Sequence, residues 1–218
     1  MKTKLVAAIG LFLFSQTLLA SLLTVVPGDT EINGVTVNKS ASLDVEGKAV
    51  QLASAGAGLR KKTIAQVKVY VGQLYVSNLD RFRDPNLTPL NSLDFNDMTV
   101  ALQMTMVHKG TTDQLSEGFV DGFKSNKIDP TATPYSTLVS SVREAGPINV
   151  DDGTQTLTLV GRRLVDGSEE IVYENSETGK TMSVKGTKGF IKNVYSIWLG
   201  EPADNGLVNL KKAFVGGK

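Results

Sequence analysis

The alternation of apolar and polar positions predicts a sheet in the first half of the chain. Short β-type segments are separated by the tight turns Asn33-Gly34 and Glu46-Gly47, and residues 67–76 are rich in β-branched and aromatic side chains. Between residues 98 and 106, large apolar residues alternate with smaller or polar ones. This period of two predicts a strand with one face against a core.

The middle of the chain changes to a helical period. A capping-box pattern at Thr111–Gln114 predicts the start of a helix, and apolar residues then recur at intervals of four as far as Phe123. A second helix is predicted between Pro134 and Gly146, because proline suits the first turn of a helix and glycine its end.

Sheet and then helix follow once more towards the C-terminus. Strands are predicted near residues 156–159, 170–173 and 181–185, and two helices near 190–198 and 207–214. The order is therefore sheet, helix pair, sheet, helix pair. Such an order predicts an α+β fold, in which helices pack on one face of an antiparallel sheet.

The N-terminus has the pattern of a secretory signal peptide. Lys2 and Lys4 precede a stretch without charge from Leu5 to Ala20. Uncleaved, residues 5–26 would be long enough to cross a bilayer. We favour cleavage after Ala20, because polar residues interrupt the apolar stretch. The chain is accordingly divided into a signal peptide, residues 1–20, and one domain, residues 21–218.

Composition narrows the classes of function. Without residues 1–20 the chain carries one more acidic than basic residue, so nothing favours binding to nucleic acid. It contains no cysteine, which excludes disulfides and thiolate chemistry, and His108 is its single histidine. We expect neither a metal site nor a cofactor. The signal peptide predicts the periplasm of a Gram-negative cell, and after its cleavage no membrane span is expected.

The most informative segment covers residues 55–76. A glycine-rich stretch, interpreted as a turn, leads to Arg60 and then to a strand that carries Tyr70. A guanidinium beside an apolar sheet is costly unless it is paired. Either an internal carboxylate, such as that of Glu117 or Asp121, or a ligand must satisfy it. The residue types alone leave both possibilities open.

Two motifs resemble the chalcone isomerase family, in particular its bacterial chalcone isomerase-like branch and its plant fatty-acid-binding branch. The first comprises residues 56–60, GAGLR, and 69–75, VYVGQLY. The second comprises residues 196–200, SIWLG, followed by Pro202 and by LKK at 210–212. The resemblance implies an open-faced antiparallel β-sandwich with helices packed on one face.

The resemblance also implies a ligand. In the fatty-acid-binding branch, the residues that match Arg60 and Tyr70 hold the carboxylate of the fatty acid. A guanidinium offers a rigid pair of donors to two carboxylate oxygens, and a phenol hydroxyl adds one more donor. Apolar residues that would line the pocket are Met104, Met106, Phe119 and Phe123. The alternative interpretation is that these four side chains are ordinary core.

Catalysis is disfavoured by three positions. True chalcone isomerases have threonine where this chain has Tyr70, tyrosine where it has Leu115, and asparagine where it has Gly122. The chain is therefore expected to bind a fatty acid or similar amphipathic carboxylate without catalysis. Two alternatives are an isomerase or lyase acting on a phenolic enone, and a structural or partner-binding protein whose pocket is filled by its own side chains.

Overall fold

The computed structural model describes residues 21–62 and 66–216; the predicted signal peptide lies outside them. The strands of the described part are β1 (Thr24–Ile32), β2 (Val35–Val45), β3 (Lys48–Lys62), β4 (Val67–Val76), β5 (Val100–Met106), β6 (Thr156–Arg163), β7 (Glu169–Asn175) and β8 (Lys180–Gly186). Its helices are α1 (Leu79–Phe82), α2 (Pro89–Ser92), α3 (Thr112–Ser125), α4 (Tyr135–Glu144), α5 (Phe190–Leu199) and α6 (Asn205–Val215).

All eight strands form one antiparallel sheet in the order β1 to β8, so that each strand pairs with its neighbours in the sequence. Helices α3 and α4 lie between β5 and β6 in the chain, and α5 and α6 follow β8. The predicted α+β class and the order of sheet and helix pairs are confirmed. The open sheet has free edges at β1 and β8, since its order does not close on itself.

The sheet curls, so that its first strands cover the face of β4 to β7 that the helices leave free. The Asn38 side chain on β2 donates to the Tyr75 hydroxyl on β4 at 3.1 Å, and the Asn38 main-chain N–H donates to the Gln73 side chain at 2.8 Å. Small apolar side chains fill the space between the layers: Leu23, Ala41, Leu43, Leu52, Ala101, Val160 and Val172. This is the open-faced sandwich that the family resemblance implied.

The larger core lies on the helix face of the sheet. Leu74, Leu102 and Leu159 on three adjacent strands are fully buried there, against Phe123 on α3 and Ile191 on α5. Within the described residues, no helix combines the length and the apolar character needed to cross a bilayer.

Helix α3 begins as predicted. The Thr111 hydroxyl accepts the Gln114 N–H at 3.1 Å, and the Gln114 side chain accepts the Thr111 N–H at 3.0 Å. This reciprocal capping box satisfies two main-chain donors that the first helical turn would otherwise leave unpaired.

The glycine-rich stretch before Arg60 was wrongly interpreted as a turn. Strand β3 runs through it without interruption as far as Lys62. A Cβ on Gly56 would overlap the carbonyl oxygen of Ala213, and one on Gly58 would lie 2.7 Å from the Ala213 Cβ. The glycines therefore serve the close packing of α6 onto the strand, a known role of glycine inside strands.

Two further parts were not predicted from the pattern. Strand β1 contains Pro27 and Gly28, and its register shifts there, as is typical of an edge strand. Residues 79–97, between β4 and β5, contain the single-turn helices α1 and α2, which are capped by the side chains of Asn78 and Thr88.

Candidate functional site: a cavity between the sheet and helices α3, α5 and α6

A cavity of about 410 Å³ opens between strands β4 and β5 and helices α3, α5 and α6. Its volume lies within the range of roughly 300–1,000 Å³ that is usual for pockets of small molecules. Apolar and aromatic side chains make up most of the wall: Val67, Val69, Tyr70, Met104, Met106, Leu115, Phe119, Ile148, Ile197, Trp198 and Leu207.

The sheet wall follows from strand alternation. Tyr70 on β4 pairs with Met106 on β5, and Gly72 pairs with Met104, so that all four positions face the helices. From the helix side, Phe119 meets the ring of Trp198 edge to face, with 5.7 Å between centroids. The sheet and the helices thus both contribute apolar side chains to the cavity wall.

A polar cluster lies at the sheet end of the cavity. Arg60 and Tyr70 are register partners on β3 and β4. The Trp198 Nε1–H donates to the Tyr70 hydroxyl oxygen at 2.9 Å. Since this oxygen accepts the hydrogen bond from Trp198, its own proton remains available as a donor.

Burial raises the pKa of Tyr70 above its ordinary value, and the Arg60 guanidinium opposes this effect in part. The phenol therefore stays protonated at neutral pH and keeps its donor.

The internal partner of Arg60 is Asp204, and neither Glu117 nor Asp121 pairs with it. The Arg60 Nη2 donates to Asp204 Oδ2, and its Nη1 donates to the carbonyl oxygen of Lys61. The Arg60 side chain is 9% exposed and that of Asp204 is 36% exposed. Arg60 therefore lies beside a cavity and is also paired internally.

Asp204 has a second role as the N-cap of α6. Its Oδ1 accepts the main-chain N–H of Gly206 at 2.9 Å and that of Leu207 at 3.1 Å. One carboxylate thus starts helix α6 and connects it to β3 through Arg60. The sequence offered a signal for the cap, since aspartate precedes the apolar positions of a helix, but none for the ion pair.

The predicted lining residues do not all reach the cavity. Met104, Met106 and Phe119 line it, and so does the exposed His108. Phe123 is fully buried and packs against Tyr135, with 5.2 Å between ring centroids. It lies outside the cavity wall and belongs to the core.

The charged side chains that line the cavity in the described part of the chain are positive. Besides Arg60 and Tyr70, its ionisable lining residues are Lys62, His108 and Lys109, and no acidic residue of the described part of the chain is among the lining residues. Lys62 and Lys109 are exposed, and the Lys109 ammonium lies 3.9 Å from the Asp151 carboxylate. Such a distribution attracts anions to the opening.

Gly118 is a lining residue that the sequence did not single out. It lies on α3 at the exposed side of the cavity, and a Cβ built on it would meet no atom within 4 Å. A larger side chain there can extend into the open space.

Comparisons with known proteins bear on this geometry. A sequence model of the chalcone isomerase-like family matches residues 29–216. The chain belongs to the chalcone isomerase-like family. Among solved structures, it is similar to a fatty-acid binding protein of Arabidopsis thaliana, with a TM-score of 0.54 and 16% sequence identity over 80% of this chain and 95% of that one. At this identity the likeness shows the fold. A comparison with curated proteins found no match.

At two positions this chain differs from the residues that the resemblance led us to expect in true chalcone isomerases. Leu115, at the position expected to carry tyrosine, lines the cavity with an apolar side chain. Gly122, at the position expected to carry asparagine, is packed so closely that a Cβ would lie 2.7 Å from Ile197 Cγ2, and it lies outside the cavity wall. Neither position offers a polar side chain to a phenolic substrate.

Proposed function

We propose that the protein is an exported, non-catalytic binding protein for a fatty acid or a similar amphipathic carboxylate. The observation that carries the proposal is the cavity itself, since it combines an apolar wall, a phenol with a free donor, and arginine and lysine side chains in its lining. The fold shared with a fatty-acid binding protein supports the proposal.

The head group and the tail make different contributions. A carboxylate that accepts the Tyr70 O–H gains a charge-assisted hydrogen bond, which contributes roughly 1.5–3 kcal/mol. Each methylene removed from water adds about 0.8 kcal/mol. A tail of several methylenes therefore contributes more affinity than the head group, and the head group fixes the orientation.

Arg60 acts on the head group together with Tyr70. Its charge is shared with Asp204, so a bound carboxylate is the second anion at one guanidinium. Arg60 is the register partner of Tyr70, so its charge also acts on the hydroxyl that donates to the ligand. The head group consequently depends on both residues, and the pairing with Asp204 moderates its affinity.

The test fills the cavity from its open side. Purified wild type, Gly118→Leu and Asp121→Leu are compared by native mass spectrometry and by extraction of bound lipid. Asp121 is exposed on the same helix and does not line the cavity, so its variant is the matched control. We expect lipid in the wild type and the control and at least a tenfold loss in Gly118→Leu. Equal occupancy in all three proteins, or none in the wild type, would overturn the proposal.

The catalytic alternative has its own test. Because the cavity wall is apolar at Leu115 and excludes Gly122, we infer that the protein does not cyclise chalcones. No turnover is expected even at high enzyme concentration. Turnover that is lost in Arg60→Ala would overturn this inference.

The export part of the proposal is supported by Lys2, Lys4 and the uncharged stretch from Leu5 to Ala20. Cell fractionation and the intact mass of the product test it. A periplasmic product that begins at Ser21 is expected, and a full-length product in the cytoplasm would contradict it.

A further inference from the structure

Strand β7 carries three buried glutamates, and two of them have an arginine partner. Glu169 pairs with Arg163 at 2.9 Å, and Glu170 pairs with Arg162 at 2.7 Å. The third, Glu174, is 6% exposed, and no lysine, arginine or histidine of the described residues forms an ion pair with it. A buried carboxylate without a cation is costly, so the exception calls for an explanation.

The partners of Glu174 come from the beginning of the described chain. The Leu22 main-chain N–H donates to its two carboxylate oxygens at 3.1 and 3.2 Å, and the Ser21 hydroxyl donates to one of them at 3.3 Å. These contacts bring residues just before β1 across the curled sheet to β7. Burial raises the pKa of the Glu174 carboxyl, and the two donors lower it in part.

The other neighbours of Glu174 are neutral. Its register partners are Thr158 on β6 and Thr181 on β8, and the Thr158 hydroxyl is buried without a hydrogen-bond partner. The nearest charged residue on the same face of β7 is Glu170, which its arginine already neutralises. An added positive charge beside Glu174 would therefore be attracted by its carboxylate without repulsion from a neighbouring cation.

Ser21 directly follows the predicted cleavage site. Hydrolysis of the bond between Ala20 and Ser21 consumes one water and leaves a carboxylate on Ala20 and an amine on Ser21, which takes up a proton at neutral pH. The new α-ammonium is covalently close to the Ser21 hydroxyl and to the Leu22 N–H, the two groups that already contact Glu174.

We propose that Glu174 is a docking site for the N-terminus that signal-peptide cleavage creates, with the α-ammonium of Ser21 as its cation. The proposal rests on the processing proposed above and is independent of the ligand. Cleavage completes the set of glutamate–cation pairs on β7 and fastens the start of β1 over the second layer of the sheet. The precursor, whose Ser21 nitrogen is an amide, has no such cation.

The experiment compares two forms of residues 21–218, a chain that contains every described helix and strand. One form has a free amine at Ser21, and the other is acetylated there. At pH 7 we expect the Tm of the free form to be higher by about 2–4 °C. Pairing raises the pKa of the α-ammonium above its ordinary value of roughly 8. The difference should therefore be present at neutral pH and disappear as the pH rises through the raised pKa. It should also disappear in acid, where Glu174, whose pKa is raised by burial, takes up a proton.

Variants assign the effect to its partner. In Glu174→Gln the two forms should have the same Tm, whereas in Glu177→Gln, an exposed position after the same strand, the difference should persist. Equal Tm values of the free and acetylated wild type at pH 7, or a difference that survives in Glu174→Gln, would overturn the proposal. Lipid occupancy should be the same in both forms, so this result and that of the ligand test are independent.

Discussion

Strand β4 carries two buried tyrosines on opposite faces, and their hydroxyl groups differ. The Tyr75 hydroxyl, between the two layers of the sheet, accepts from Asn38 at 3.1 Å and donates to Gln73 at 3.0 Å. The Tyr70 hydroxyl, on the helix face, accepts from Trp198 and borders a cavity. A closed network specifies packing, whereas an open donor beside empty apolar space suits a ligand.

The largest effect is expected when the helix face of the sheet, where Tyr70 borders the cavity, loses the cation of Arg60. Arg60→Ala removes the charge behind Tyr70 and also the tie between β3 and α6, so ligand occupancy should fall strongly and the free energy of unfolding by about 2–3 kcal/mol. Native mass spectrometry and denaturant titration measure the two effects. Lipid occupancy equal to that of the wild type would remove Arg60 from the site.

Removing each hydroxyl separately tests the comparison directly. Tyr70→Phe should lower affinity for a fatty acid about tenfold, which corresponds to roughly 1.4 kcal/mol. Tyr75→Phe should leave affinity unchanged and cost about 1–3 kcal/mol of stability, because Asn38 and Gln73 lose their shared partner. Calorimetric titration measures the affinity of each variant, and thermal unfolding measures its stability. Similar affinities in the two variants would contradict the division of roles.

A smaller effect, of opposite sign, is expected at Asp204. Asparagine is as good an N-cap as aspartate, so Asp204→Asn should preserve the start of α6 while removing the anion that competes for Arg60. Affinity for a carboxylate should rise by a factor of about three to ten. Affinity for the corresponding alcohol is the control and should not change. A fall in carboxylate affinity would show that Asp204 orients Arg60 for the ligand.

The smallest effect concerns alkaline pH. Burial raises the pKa of Tyr75 to about 12, while its unfolded-state value is near 10. The folded state therefore binds more protons above pH 10, and stability should decline as the pH rises from 10 towards 12. Tyr75→Phe should decline less steeply. Denaturant titrations at pH 9 to 11 measure the slopes, and equal slopes would exclude Tyr75 as the cause.

Periodicity predicted those elements whose pattern is local. The alternation from residue 98 to 106 and the capping box of α3 depend on neighbours in the sequence, and both were correctly interpreted. The glycines before Arg60 were misread because their reason, the close approach of α6, lies more than 140 residues further along the chain. The same separation hid the partner of Arg60.

The candidate site shows a second limit of sequence patterns. Phe119 and Phe123 occupy equivalent positions on the apolar stripe of α3, yet only the first lines the cavity. Periodicity indicates which face of a helix is buried. It does not indicate where a cavity forms, because that depends on whether side chains of the opposing elements fill the space. Gly118, which has no side chain at the opening, carries no apolar signal at all.

The glycines of β3 also affect the order in which parts of the fold can form during synthesis. Gly56 and Gly58 leave space on β3 for Ala213, which is synthesised more than 150 residues later. Until then the groove on the sheet is uncovered, Arg60 lacks its carboxylate and Leu207 is missing from the cavity wall. Any nascent or truncated chain that ends before α6 therefore exposes an apolar groove beside an unpaired arginine, a surface suited to recognition by a chaperone.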